Sequence, residues 1–173
     1  MKTKFKIFLI FTGCFLFRLL PLRAPNVEPI MASLMPTARK YGAIVGFLFG
    51  FLSIFLYDCL THFGSWTWIA GITYGLVGAF SALYFSKFKS SIFNFAIFAG
   101  FATIFYDLIT GVLFAPIFGE TMLAALLLQI PFTALHLAGN VGFAITLSPI
   151  INRWLLAEKV FSLKPLTRTV LAK

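Results

Sequence analysis

Tyr57, Asp58 and Thr61 form a Tyr-Asp-x-x-Thr phrase that returns 49 residues later as Tyr106, Asp107 and Thr110. Each copy ends a long apolar run. A carboxylate in that setting is costly unless it reaches water, a partner or a ligand, which makes an intramembrane aspartate a candidate functional group. The spacing allows one helix back across a bilayer and one out again, so both copies are expected at the same membrane face. Ordinary helix-end residues at the interface are the alternative reading of each aspartate.

The elements that must carry these groups are apolar throughout. The 173 residues are 60% hydrophobic and 11% charged, with 23 Phe and a mean hydropathy of +0.97; soluble domains carry about 25% charge. Several runs reach membrane-spanning length, so the expectation is an all-α membrane protein forming one integral domain over residues 1–173, multi-pass in the cell membrane. The net charge of +9 does not point to nucleic acid, because the basic residues sit at the ends of apolar runs, where they set topology. Cys14 and Cys59 lie in apolar stretches without metal-ligand spacing and read as packing residues. Phe11-Thr12-Gly13-Cys14 is only a faint likeness of a lipoprotein cleavage site.

Hydropathy predicts helices over about 5–22, 29–38, 41–61, 66–85 and 92–112. The last apolar stretch, 121–156, is read as a short outer segment up to Gln129 followed by a helix from near Pro131 to Arg153. The second helix is short, about 15 Å, and completes a crossing only if the Pro-rich loop before it dips into the protein. Gly42, Gly46 and Gly50 place a small-residue stripe on the third helix, and Gly71, Gly75 and Gly78 one on the fourth. With six spans, the inner set is the N-terminal lysines, Arg39 with Lys40, Lys87 with Lys89, and the basic tail Lys159, Lys164, Arg168 and Lys173. The outer loops hold Arg23, Glu28, Asp58 and Glu120. This partition predicts a bundle of six transmembrane helices with both termini cytoplasmic.

Six spans bring Asn26, Glu28, Asp58, Thr61, Asp107, Thr110, Gln129, Thr133, His136 and Asn140 to one outer depth. Thr133, His136 and Asn140 share a helix face. Convergent polar groups among aromatic residues suit a small-molecule site. A structural ion pair of one aspartate with Arg18 is the competing account. His62 and His136 are the only histidines; no metal site, cofactor fingerprint, nucleotide-binding motif or nucleophile elbow is present, and no enzyme activity is expected.

The size, the six predicted spans, the phrase Pro25-Asn26-Val27-Glu28-Pro29-Ile30-Met31-Ala32, Tyr57-Asp58, Tyr106-Asp107-Leu108-Ile109-Thr110 and Gln129-Ile130-Pro131-Phe132-Thr133 resemble the substrate-binding S component of an energy-coupling factor (ECF) transporter. The resemblance implies capture of a vitamin or similar micronutrient from outside. It also implies a first outer loop that closes over the ligand, and docking to a transmembrane coupling subunit with two cytoplasmic ATPases. Helix one is Phe-rich here and lacks the Ala-x-x-x-Ala docking stripe common in the family. The start Met1-Lys2 differs from the Met-His of metal-uptake members. A scaffolding protein of envelope synthesis and a proton-coupled carrier using Asp58 and Asp107 stand as alternative functions. The ligand contacts expected are Asp107 and Asn140, with Asp58 and His136 close by, Glu28 on the closing loop, and Asn26, Thr110, Gln129 and Thr133 around them.

Overall fold

A computed structural model describes residues 3–21 and 27–156. Lys2, Arg23, Pro25, Asn26 and the basic tail lie outside the described residues. Those residues form six α-helices and no strand: α1 Thr3–Arg18, α2 Ile30–Tyr41, α3 Ala43–Leu60, α4 Ser65–Lys87, α5 Ile92–Asp107 and α6 Met122–Leu156. A π-helical turn, Leu108–Leu113, and a 3₁₀ turn, Ala115–Phe118, follow α5. Four segments are long and apolar enough to cross a membrane: Ala43–Leu60, Ser65–Lys87, Ile92–Phe118 and Met122–Leu155.

Helix α2 is the hub. It packs against α1, α3, α4, α5 and α6, and every residue from Ile30 to Ala38 is buried. A helix 12 residues long covers about 18 Å. The end of the loop before it is folded into the protein, since Glu28 and Pro29 are both buried.

The predicted glycine stripe divides in two. Gly42 is not part of a helix face; it separates α2 from α3 at φ +90°, a backbone conformation that side chains disfavour. Gly46 and Gly78 meet backbone to backbone between α3 and α4, so a Cβ on either would run into the other's carbonyl. Such close approach is how helices gain dispersion energy where lipid offers no hydrophobic drive.

Helix α6 corrects the expected interruption at Gln129-Ile130-Pro131. It runs unbroken for 35 residues through Pro131 and Pro149. A proline removes one backbone bond and crowds the carbonyl four residues back, which bends a membrane helix more readily than it ends it. The helix is about 52 Å long, more than the roughly 30 Å of hydrocarbon in a bilayer, so it tilts or projects.

At the end where α6 finishes, the basic residues gather on it. Lys6 donates to the Trp154 carbonyl at 2.9 Å, Lys40 donates to the Leu155 carbonyl, and Arg39 donates to Asn152 Oδ1 at 3.0 Å. Cations at the last carbonyls of a helix satisfy orphan acceptors and oppose the helix dipole. Helix α2 runs alongside in the same direction, with the Ser148 hydroxyl donating to the Ala32 carbonyl at 2.8 Å.

Candidate functional site

At the opposite end of the bundle, the second phrase sits at the junction of α5 and its π turn. Asp107 is 1% exposed. Its Oδ2 accepts from the Thr133 hydroxyl at 2.7 Å, and its Oδ1 pairs with His136 Nδ1 at 2.8 Å. Gln129 Nε2 extends the chain by donating to Thr133 Oγ1 at 3.3 Å. Positions 129, 133, 136 and 140 recur at helical spacing, so one face of α6 carries all four toward α5. The Gln129 amide rests against Gly111, where the π turn leaves room that a Cβ would take. Thr110 is buried and donates back to the Tyr106 carbonyl at 2.8 Å.

One turn deeper, Asn140 is fully buried, and its Nδ2 donates to Thr103 Oγ1 at 2.8 Å. Thr103 in turn donates to the Ala99 carbonyl at 2.7 Å. Asn140 Oδ1 has no hydrogen-bond partner among the described residues. The Tyr106 ring connects this layer to α4. It meets Tyr74 edge-on with centroids 5.1 Å apart and His136 edge-on at 6.0 Å. Tyr74 is buried and its hydroxyl is also without a hydrogen-bond partner among the described residues.

The first phrase faces a different set of groups. Asp58 is 9% exposed, and its Oδ2 is buried with no hydrogen-bond partner among the described residues. Arg18 lies over the Tyr57 ring at 4.2 Å. Its Nε stands 3.4 Å from Glu28 Oε2, and its Nη1 donates to the Ser53 carbonyl at 3.5 Å. Glu28 is only 6% exposed, so the end of the loop before α2 is folded into the bundle. The competing account expected Arg18 to pair with one of the aspartates; the structure pairs it with Glu28.

Among the described residues, two hollows open at this end. A cleft of about 260 Å³ between α5 and α6 is lined by Ile104, Asp107, Gln129 and Thr133 among others. A second, of about 380 Å³, lies between the start of α4, the two turns and α6, with Trp66, Thr110, Phe118, Gln129 and Phe132 in its wall. Gln129 lines both.

Of the sequence-selected residues, Thr133, His136 and Gln129 are brought to Asp107; Asn140 lies on the same face one turn deeper; Thr110 follows Asp107 on the π turn. Asp58 and Glu28 lie on the α1–α3 side, and Asn26 is outside the described residues. Tyr74 and Thr103 were missed. Both could have been found: Tyr74 shares the α4 face of Gly71, Gly75 and Gly78, and Thr103 lies four residues before Asp107 on α5. Among the described residues no cluster of His, Cys, Asp or Glu could hold a metal ion.

A family model for the S component of ECF-type riboflavin transporters matches residues 7–153. No curated protein and no solved structure matches the chain.

Proposed function

The chain belongs to the family of ECF-type riboflavin transporter S components, and from that premise we propose that the vitamin it captures is riboflavin, held between the Tyr-rich centre of the bundle and α6. Membership makes it a multi-pass membrane protein that binds a vitamin for import and associates with a membrane-embedded coupling subunit and ATPases. The family's role is transport, and on this reading the chain itself catalyses no reaction and acts as one membrane domain.

The observation that carries the riboflavin reading is the set of buried polar atoms without a hydrogen-bond partner among the described residues: Asn140 Oδ1, Asp58 Oδ2 and the Tyr74 hydroxyl. Leaving such groups unpaired costs about 1–3 kcal/mol each, a cost that a ligand with matching groups removes. Riboflavin has a flat ring with apolar faces, one imide N–H at its edge and a hydroxyl-rich chain. The N–H suits Asn140 Oδ1, the ring faces suit Tyr74 and Tyr106, and the chain hydroxyls suit Asp58 as donors. Thr110 and Gln129, in the wall of the outer hollow, form the mouth. Glu28, at the buried end of the loop before α2, stands for the closing loop that the family reading expects.

Titration of the ligand-free protein with riboflavin, followed by quenching of flavin fluorescence, tests this directly. Saturable binding of one flavin per chain is expected. A protein that binds another vitamin and ignores riboflavin overturns the assignment.

The orientation that fits is six crossings with both termini cytoplasmic. It is supported by the segregation of Lys4, Lys6, Arg39, Lys40, Lys87, Lys89 and Arg153 at one end of the bundle and Glu28, Asp58, Asp107 and Glu120 at the other. A thiol-reactive, membrane-impermeant reagent added to intact cells should label Gly64→Cys and spare Lys89→Cys; the reverse pattern overturns the topology.

A further inference from the structure

We propose that the groove between α1 and α3 is a binding site for an anionic phospholipid, with one acyl chain lying along the two helices and the headgroup held by Lys4. The groove measures about 320 Å³ and is lined by Lys4, Phe8, Phe11, Leu48, Phe49 and Leu52 among others. Positions 4, 8 and 11 on α1, and 45, 48 or 49, and 52 on α3, each repeat at helical spacing, so the groove follows the helix axes. Its floor is Phe49, buried and in edge-on contact with Phe11 at 5.2 Å. Its rim, Phe8, Leu48 and Leu52, is exposed. An apolar trough with a buried floor, parallel to the helices, has the shape of an extended hydrocarbon chain.

Charge selects the headgroup. Lys6, Arg39 and Lys40 at this end of the bundle all donate into the last turn of α6. Lys4 is exposed and makes no hydrogen bond or ion pair among the described residues. A lysine at the end of an apolar groove lays its stem along the hydrocarbon and its ammonium at headgroup level, where, on the orientation proposed above, the anionic lipids of a cytoplasmic leaflet attract it. The site is remote from the vitamin-binding residues and does not depend on the vitamin's identity.

Native mass spectrometry of the full chain, released from detergent with either phosphatidylglycerol or phosphatidylcholine carrying identical oleoyl chains, tests the site. Phosphatidylglycerol should be retained in preference. Lys4→Gln should lower its retention about fivefold, the effect of one basic residue near a lipid surface. Leu48→Trp, which fills the groove, should remove retention of both lipids, and Lys89→Gln should change nothing. Should Leu48→Trp fail to fold, the Lys4→Gln and Lys89→Gln pair carries the test. Equal retention of the two lipids, or equal losses from Lys4→Gln and Lys89→Gln, overturns the proposal. So does cross-linking of Leu48→Cys to the coupling subunit in place of a photoreactive lipid in the assembled transporter.

Discussion

The two Tyr-Asp-x-x-Thr phrases have the same letters and opposite circumstances. In the second, Asp107 is held at both oxygens by Thr133 and His136, Tyr106 is wedged between Tyr74 and His136, and Thr110 is buried on a π turn. In the first, Asp58 keeps a buried oxygen with no partner, Tyr57 faces the Arg18 guanidinium, and Thr61 is exposed at the end of α3, donating to the Tyr57 carbonyl at 2.9 Å. A phrase of five positions sets which end of the bundle it occupies and the local backbone. What the aspartate does is set by the helix that faces it. Opposite Asp107 stands α6, with a histidine and a threonine at the right heights; Asp58 has no such partner and is left poised.

This contrast makes opposite predictions for the same substitution. Asp107→Ala strands the buried Thr133 and His136 donors and should cost about 3–5 kcal/mol, the loss seen when a buried pair is broken. Asp58→Ala removes a buried oxygen that nothing satisfies and should leave the thermal midpoint of the ligand-free protein unchanged or raised. Thermal unfolding of the two ligand-free variants in one detergent checks both; equal losses would erase the distinction drawn here.

Ligand affinity should invert the order. Asp58→Asn should weaken flavin binding by about 1.5–3 kcal/mol, the range for hydrogen bonds to a charged group, with little change in unfolding. Asp107→Asn keeps the carboxamide oxygen for His136 and the shape of the side chain, and should bind flavin more tightly than Asp58→Asn does. A fluorescence titration that ranks them the other way would move the ligand to Asp107, the contact expected from sequence.

The smallest effects belong to the threonines. Thr110→Val deletes a buried hydroxyl bonded to the Tyr106 carbonyl and should cost about 1 kcal/mol. Thr61→Val, on the surface, should fall within about 0.5 kcal/mol of the parent. Denaturation curves for the pair would show whether the π turn depends on its threonine more than the plain helix end does.

That these groups gather at one end of the bundle was legible in the sequence because apolar runs and their basic ends are one-dimensional signals. The α6 face of Gln129, Thr133, His136 and Asn140 was legible for the same reason: helical spacing needs no partner to be read. Pairing was not. Arg18 has Glu28, Asp58 and Asp107 as candidate acids at similar depth, and only the folded loop chooses Glu28. Pro131 looked like a break because proline ends helices in water; in a lipid-facing segment the remaining backbone bonds have nowhere better to go, and α6 continues. Gly42 fitted a stripe by spacing alone, while its positive φ shows it is a hinge point between α2 and α3.

The encased position of α2 has a consequence for how the chain enters the membrane. A segment of 12 residues containing Pro36, Arg39 and Lys40 is too short and too polar to partition into lipid as an independent span. Helix α3, which follows it, is long and apolar enough to do so. During synthesis, α3 can therefore be inserted first, with the stretch before it waiting at the headgroup region. It reaches its final depth only when α4, α5 and α6 have arrived to enclose it. The last step of assembly is then the sinking of the centre, and a nascent chain arrested before α6 should still present residues 30–38 to water-soluble reagents that the finished protein excludes.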